Sequence, residues 1–443
     1  MQLIGREKIG KMKIKIKTIK EYLVKLQKNG LGDVFISSVF SEFIAFVIFV
    51  FIVRMFSKEE YGNYAIAYNI YGYIAVFVGL GLNNGILQYC SEIRREEQKN
   101  AIYNFTKRVG NIFNVVLMVL MPILSLCVFQ AEAQIYFILM SGWPIVAYLS
   151  NYYLMRLRVI KDNRCFMISN VISSIVFIIF AAVLSYFFGI IGYIVSYYFK
   201  YISSFLLSFY FNNRHRRVIG EEKLKKSLKN EIIKYSVVCC LTNFVSQILM
   251  LVDVTCINIF IKDPSVVATY KAATQIPVAL LFIPSSIIMF AFPYLAEHNN
   301  DFEWLKNNSK KLIAGVFLVN LLVSVVIIVF APFIVVILWG EKYADAASVL
   351  RILTLNFLIT GSFNMVYGNI MVAIKKVNIN LIKTIVCSVL NIVLDILLIG
   401  YFGSIGASYA TLMVSVCSSS FAVIYFVCWL KRQQVTAIKN TEV

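Results

Sequence analysis

An all-α membrane protein of about twelve transmembrane helices, arranged as two pseudo-symmetric six-helix lobes, is the fold this sequence predicts. Three observations predict it. The 443 residues are 60% hydrophobic and only 15% charged, with a mean hydropathy of +0.77, which excludes an ordinary soluble domain and a disordered chain. The apolar residues fall into stretches of roughly 20 to 25, the length that crosses a hydrocarbon core of ~30 Å. Finally, the basic residues collect in every second loop.

Residues 1–31 hold nine Lys or Arg, from Arg6 to Lys28. Between them Ile9, Met12, Ile16, Ile19, Leu23 and Leu26 recur at three- and four-residue spacing. This segment is expected to be an amphipathic helix lying on anionic membrane lipids, and not a cleavable signal, because its basic region is long and no short apolar core follows. The spans are expected near 33–57, 62–88, 109–130, 135–156, 165–187, 190–211, 236–261, 267–294, 312–339, 346–373, 378–400 and 405–430. They are helices because lipid offers no partner for a bare backbone group, and the alternation of a barrel strand is absent.

The loops orient the spans. Arg94, Arg95, Lys99, Lys107 and Arg108 lie in or beside the 2–3 loop, and Arg156, Arg158, Lys161 and Arg164 in the 4–5 loop. Arg214, Arg216, Arg217, Lys223, Lys225, Lys226, Lys229 and Lys234 make the 6–7 loop the most basic of all. The opposite face carries only Arg54, Lys58, Lys262 and Lys342. The positive-inside rule then places both termini in the cytoplasm. The net charge of +19 thus has a topological cause, and no nucleic-acid partner is expected.

A weak internal repeat divides the chain. Tyr64, Ala67 and Ile70 in the second span match Tyr270, Ala273 and Ile276 in the eighth. Phe188-Gly189-Ile190-Ile191-Gly192, between spans five and six, recurs as Phe402-Gly403-Ser404-Ile405-Gly406 between eleven and twelve. Six spans per half make the repeat parallel. The predicted organisation is a cytoplasmic N-terminus (1–31), an N-lobe (32–211), a basic linker (212–234), a C-lobe (235–430) and a cytoplasmic tail (431–443).

Polar residues inside the spans are the functional candidates, since each charge there costs at least ~2.5–3.5 kcal/mol unless paired or wet. Glu42 has no cationic neighbour in its own span and is read as a cavity-facing group that binds a proton or cation. Asp253 and Lys271 are either a structural ion pair between neighbouring helices or cavity groups. Lys200 lies with Ser196, Ser203 and Ser204 on one face of span six. Asn69 and Gln275 occupy matching positions in spans two and eight, where two carboxamides could face one cavity. Thr384, Ser388, Asn391 and Asp395 form a stripe on span eleven, with Asp395 expected to be solvated near the outer end. Lys383 and Arg54 are expected to snorkel to the interface.

Enzyme motifs are missing. The two histidines, His215 and His298, fall in loops of the basic face, and no phosphate-binding loop of the G-x-x-x-x-G-K-[ST] type occurs. The nine cysteines are scattered and read as apolar packing residues, neither disulfides nor metal ligands. The expectation is a gradient-driven transporter without cofactor, coupled to H+ or Na+ through Glu42 or Asp253.

Several runs resemble one family. Arg54-Met55-Phe56-Ser57-Lys58-Glu59-Glu60-Tyr61-Gly62-Asn63-Tyr64 and the following Gly79-Leu80-Gly81-Leu82 look like the first outer loop and second span of Wzx-type polysaccharide flippases. Trp339-Gly340-Glu341-Lys342-Tyr343, Ala346-Ala347 and Val349-Leu350-Arg351-Ile352-Leu353 are similar to the family's ninth-to-tenth-span region. Asn391-Ile392-Val393-Leu394-Asp395 through Gly403, Gly406 and Ala407 resemble its eleventh-to-twelfth, with Asp395 departing from the neutral amide of the pattern. The resemblance implies the multidrug/oligosaccharidyl-lipid/polysaccharide exporter (MOP) fold, MATE-like in architecture. It implies a flippase carrying undecaprenyl-diphosphate-linked oligosaccharide across the bacterial cytoplasmic membrane for O-antigen or other surface polysaccharide, working as a monomer beside polymerase and chain-length machinery. It places spans one, two, seven and eight at the cavity, where Glu42, Asn69, Asp253 and Lys271 fall. Gln275 of span eight and Lys200 of span six, whose stem could instead reach the interface, are further substrate-binding candidates from the residues themselves. The rival readings are a multidrug or cation antiporter of the same superfamily and a membrane-embedded polysaccharide polymerase or acyltransferase.

Overall fold

The computed structural model describes residues 31–92, 95–128, 131–214, 223–299 and 301–441. The expected amphipathic N-terminal helix and the middle of the 6–7 linker lie outside these residues. The described regular structure is entirely helical. Eleven of its helices are long and apolar enough to cross a membrane.

One of the eleven contains two crossings. Asn163–Arg214 runs for 52 residues, about 78 Å if straight and more than twice a bilayer core. Gly189 breaks it at φ 63°, ψ −147°. Phe180 then stacks on Phe199 at 4.0 Å, a contact that two residues nineteen apart on a straight helix cannot make. The twelve segments are therefore α1 (Leu31–Met55), α2 (Lys58–Ser91), α3 (Glu96–Val128), α4 (Glu132–Val159), α5 and α6 (the arms of Asn163–Arg214 on either side of Gly189), α7 (Lys226–Ile261), α8 (Pro264–Glu297), α9 (Phe302–Trp339), α10 (Ala346–Ala373), α11 (Val377–Phe402) and α12 (Ser404–Thr441).

Helices α3, α7 and α9 start about ten or more residues before the apolar stretches that predicted them. Their first turns are charged and helical. Hydropathy detects only the part of a helix that sits in lipid, and these helices continue past it into the basic face.

The sequence repeat has a backbone counterpart. Gly403 joins α11 to α12 at φ 62°, ψ −144°, nearly the dihedrals of Gly189. A Cβ on Gly192 would lie 1.9 Å from the carbonyl oxygen of Leu184, and one on Gly406 would lie 2.1 Å from that of Leu398. Leu184 and Leu398 are themselves separated by the same 214 positions as the glycines. Only glycine fits where the returning helix crosses so close, so the motif encodes the hairpin.

Helix α1 packs on the α5–α6 hairpin and α7 packs on α11, while α4 sits between α3 and the hairpin as α10 sits between α9 and α12. The two halves meet chiefly where α2 runs against α7 and α8. Both α2 and α8 are broken mid-span. In α2, Gly79, Leu80 and Gly81 take left-handed conformations at φ 67°, 51° and 70°, and the Asn114 side chain accepts the N–H of Gly79 at 3.0 Å. A backbone group freed inside a membrane needs such a partner. Helix α8 divides at Leu281 into Pro264–Leu280 and Phe282–Glu297. Interrupted helices at matching places in two repeats are where transporters of this construction bind what they carry.

Candidate substrate and ion site

The predicted residues separate into one cluster per half, with a bridge between them. In the first half, α1 lies against the α5–α6 hairpin, and the Ser174 hydroxyl meets that of Ser41 at 3.0 Å. One residue on, Glu42 is exposed, and its charge acts on both Lys200 of α6 and Tyr68 of α2. The Lys200 ammonium sits 4.9 Å from the ring centre of Phe177 and 5.8 Å from that of Tyr197. Aromatic faces stabilise a desolvated cation without neutralising it. No described carboxylate comes within 4 Å of it. Glu42 thus has a cationic neighbour after all, on another helix where spacing along its own span does not reveal it.

A tyrosine cluster surrounds this pair. Tyr61, Tyr64, Tyr68 and Tyr71 line one face of α2, and Tyr193, Tyr197 and Tyr201 one face of α6. Tyr64 stacks on Tyr68 at 5.6 Å, and Trp143 lies 4.6 Å from Tyr197. The hydroxyls of Tyr193 and Tyr197 are 3.2 Å apart. Sequence reasoning missed these residues. The available signal was their spacing, three or four residues apart on two helices that both reach the centre of the bundle.

The second half is built differently. Asp253 of α7 is 8% exposed and Asp395 of α11 is fully buried. The Asp253 carboxylate accepts from Tyr270 OH at 2.5 Å, from Thr411 Oγ1 at 2.5 Å and from Asn391 Nδ2 at 2.8 Å. The same Asn391 amide donates to Asp395 at 3.0 Å, while the other Asp395 oxygen is buried without a partner. This corrects the reading of Asp395 as a solvated end-of-helix residue: α11 is packed on both α7 and α12, which covers its stripe. It also corrects the direct Asp253–Lys271 pair. Tyr270, one residue earlier on α8, takes the carboxylate. Lys271 is partly exposed, with the Asp253 charge acting on it from beyond 4 Å.

Lys383 does not snorkel. It is 8% exposed and donates to Asn364 Oδ1 at 2.5 Å, an oxygen that also accepts from Ser418. Asn364 ends a π-helical turn, Thr360–Asn364, whose widened backbone points the amide at α11.

Asn69 and Gln275 do not act as a symmetric pair. The Asn69 amide donates to Thr255 Oγ1 at 2.8 Å and to the carbonyl of Leu251 at 3.2 Å, both on α7. Tyr73 OH meets the same threonine at 3.0 Å. Asn69 therefore joins the halves in this conformation, whereas Gln275 lies partly exposed on α8.

The face away from the basic loops is pinned shut. Ser57 and Glu60 form a capping box that starts α2 and presents Lys58 as the first helical residue. Its ammonium holds Asp345, at the start of α10, at 2.7 and 2.9 Å. Lys342 reaches the other way, donating to the carbonyls of Arg54 and Phe56. Below them, a Cβ on Gly62 would lie 1.9 Å from the Pro264 carbonyl oxygen, so α2 and α8 touch backbone to backbone. Toward the basic face, the second segment of α8 packs on α9 and α10.

These features define a multi-pass membrane protein of two helical halves, with broken helices at their seam and charged groups near it. The fold is that of the MOP superfamily. An inward-facing multidrug resistance MATE family transporter of that superfamily superposes with a TM-score of 0.75 at 16% identity, covering 90% of this chain and 96% of that one. The lipid II flippase MurJ in an inward closed conformation gives 0.72 at 17% identity, covering 92% of each. The chain belongs to the family described as polysaccharide biosynthesis protein, whose pattern matches residues 32–299. Among curated proteins it is similar to a probable low-salt glycan biosynthesis flippase, Agl15, of Haloferax volcanii, at 26% identity over 209 residues. That match spans 45% of this chain and 41% of the relative.

Proposed function

We propose that the protein flips a polyprenyl-diphosphate-linked oligosaccharide, of the undecaprenyl type in a bacterial cytoplasmic membrane, from the leaflet at its basic face to the opposite leaflet. The basic face is cytoplasmic in this reading. The observation that supports it most is the arrangement of Lys200, Lys271 and Glu42 in a two-half bundle whose far face is pinned by Lys58–Asp345 and Gly62–Pro264. On the basic side α2 rests on α7, where Tyr89 donates to Glu231 at 3.2 Å. Membership in a polysaccharide biosynthesis family and the similarity to glycan and lipid II flippases support the substrate class.

The chemistry is consistent. A diphosphate needs cationic donors that are not already neutralised, and Lys200 and Lys271 lie more than 4 Å from every described carboxylate. A sugar chain needs aromatic faces and hydroxyls, which the partly exposed Tyr68 of α2 and Tyr197 and Tyr201 of α6 offer. The head group enters from the basic side, the Lys58–Asp345 pair and the Gly62–Pro264 contact part, and the halves rock about the α2–α7 seam. The same cations disfavour the multidrug antiporter reading, since an organic cation would meet like charge.

The energy source in this reading is a proton or sodium gradient acting at Asp253 and Asp395. Two carboxylates that share one amide donor in a dry bundle repel each other, and one bound proton or Na+ relieves that repulsion. Glu42 is the second coupling candidate.

The test is delivery of lipid-linked glycan in a strain lacking the protein, read by lectin staining of the outer leaflet and by mass of the accumulated lipid-linked precursor. Complementation by the wild type and failure by Lys271→Ala and Glu42→Gln at equal membrane levels is the expected result. Full delivery by both variants would sink the assignment. Altered drug susceptibility with normal glycan would favour the antiporter.

A further inference from the structure

We infer that the first half carries a phosphate site for a bilayer phospholipid at its basic-face rim, where α4 meets α3 and α6. The site does not depend on the proposed transport reaction.

Arg156 lies one turn before the end of α4. Its guanidinium is held by three tyrosine rings, 4.3 Å from the centre of Tyr103, 5.7 Å from Tyr153 and 5.9 Å from Tyr152. Lys107 of α3 stands beside it, donating to Tyr153 OH at 3.1 Å. Two cations therefore converge on one tyrosine, and no described carboxylate lies within 4 Å of either. Glu96, the acid whose charge reaches Tyr103, is bound to Lys99 at 2.8 Å. Tyrosine faces hold a cation in place but leave its charge uncompensated, so this pair is prepared for an anion.

The surroundings select the kind of anion. Tyr153 packs edge-on against Phe209 of α6 at 5.3 Å and against Phe205 at 5.5 Å. Asn212, near the end of α6, donates to the Tyr153 carbonyl at 2.9 Å. Leu206, Phe209 and Tyr210 on α6 and Ile112 on α3 are exposed on the flanks. Two cations at the rim with apolar side chains running away from them match a phosphate head group with acyl chains, not a free ion.

The second half supplies an internal comparison. Tyr367 of α10 packs on Phe426 of α12 at 5.4 Å, as Tyr153 does on Phe209. At the position corresponding to Arg156, 214 residues on, stands Ile370. At that corresponding to Lys107, 206 residues on as the starts of α3 and α9 are, stands Ile313. The aromatic packing is thus part of the architecture, whereas the two charges are an addition to one half and are not needed to build it.

The experiment is titration of the purified full chain with phosphatidylglycerol, phosphatidylcholine or inorganic phosphate, followed by native mass spectrometry. The wild type is expected to retain phosphatidylglycerol in preference to phosphatidylcholine, and inorganic phosphate is expected not to displace it. Lys107→Gln should weaken retention roughly fivefold, and adding Arg156→Gln about 25-fold, at one surface charge each. Arg156→Lys, which keeps a cation, should retain most of the binding, and Lys311→Gln on an exposed part of α9 should leave it unchanged. Unchanged retention in Lys107→Gln overturns the proposal. So does equal binding of phosphatidylcholine, and so does displacement by inorganic phosphate, which would make the Arg156–Lys107 pair a site for free anions. Lys107 is partly exposed, so its variant tests the site even where Arg156→Gln fails to fold.

Discussion

The two halves share a hairpin geometry down to single glycine dihedrals, yet they handle their buried charge in opposite ways. In the second half, Asp253 is saturated by three donors and Asp395 is sealed beside it. In the first half, Glu42 is exposed, Lys200 rests on aromatic faces, and neither is locked into an ion pair with the other. A site finished in every direction but one fits a bare cation. A site with an exposed carboxylate, an ammonium unpaired among the described residues and the partly exposed rings of Tyr68, Tyr197 and Tyr201 fits a larger ligand. One scaffold thus occurs twice, and its polar residues differ between the two copies.

The largest effect that would break this division comes from the second half. Asp253→Ala removes the acceptor for Tyr270, Thr411 and Asn391 at once, and each stranded donor costs about 1–3 kcal/mol. The expected result is a lower melting temperature together with complete loss of transport. Asp253→Asn and Asp395→Asn keep the shape, so they should fold normally and lose the dependence of transport on an imposed H+ or Na+ gradient. Gradient dependence that survives in both variants would transfer the coupling role to Glu42.

Next in size are the first-half charges. Lys200→Met keeps the length of the stem and its packing on Phe177 and Tyr197 while removing the ammonium. Glycan delivery should fall by roughly tenfold, about 1.4 kcal/mol, with thermal stability unchanged. Tyr68→Phe should cost less, about 0.5–1.5 kcal/mol for one hydroxyl. If Lys200→Met impaired gradient coupling and spared substrate, the proposed division of labour would be reversed.

The fold was readable because membrane insertion makes local sequence decisive. Length and hydropathy specify a crossing, and Gly189 with Gly403 specify a hairpin whatever surrounds them. The candidate site was readable only as far as single helices reach. Asp253 and Glu42 stood out as charges in apolar runs, but what surrounds them lies on other helices. Tyr270 and Asn391 bond the one, and the charge of Lys200 acts near the other without pairing with it. The eventual burial of Asp395 depends on α12 covering α11, and the engagement of Asn69 depends on α7 meeting α2. Neither contact leaves a mark in the spacing of α11 or α2. The breaks in α2 and α8 had local signals, Gly79-Leu80-Gly81 in one and Pro277 and Pro284 around the other, which hydropathy averaging conceals.

The seam between the halves offers a pair of changes that differ in size for a physical reason. Gly62→Ala places a methyl group 1.9 Å from the Pro264 carbonyl oxygen, and two backbones cannot yield as a side chain would. The far face should then fail to close, and spin labels on α2 and α10 at that face should report a separation several ångströms wider.

Lys58→Ala acts at the same place but removes only an ion pair whose side chains are 21% and 58% exposed. Solvent screening limits such a pair to about 0.2–1 kcal/mol. Its loss should shift the open fraction by no more than roughly fivefold, and raised salt should reproduce part of that shift in the wild type. The Lys342 bonds to Arg54 and Phe56 remain in this variant and keep the face mostly closed. A shift from Lys58→Ala as large as that from Gly62→Ala would mean that charge, and not backbone contact, holds the halves together. Lys58 and Asp345 would then join Glu42 and Lys200 among the residues proposed to govern the cycle.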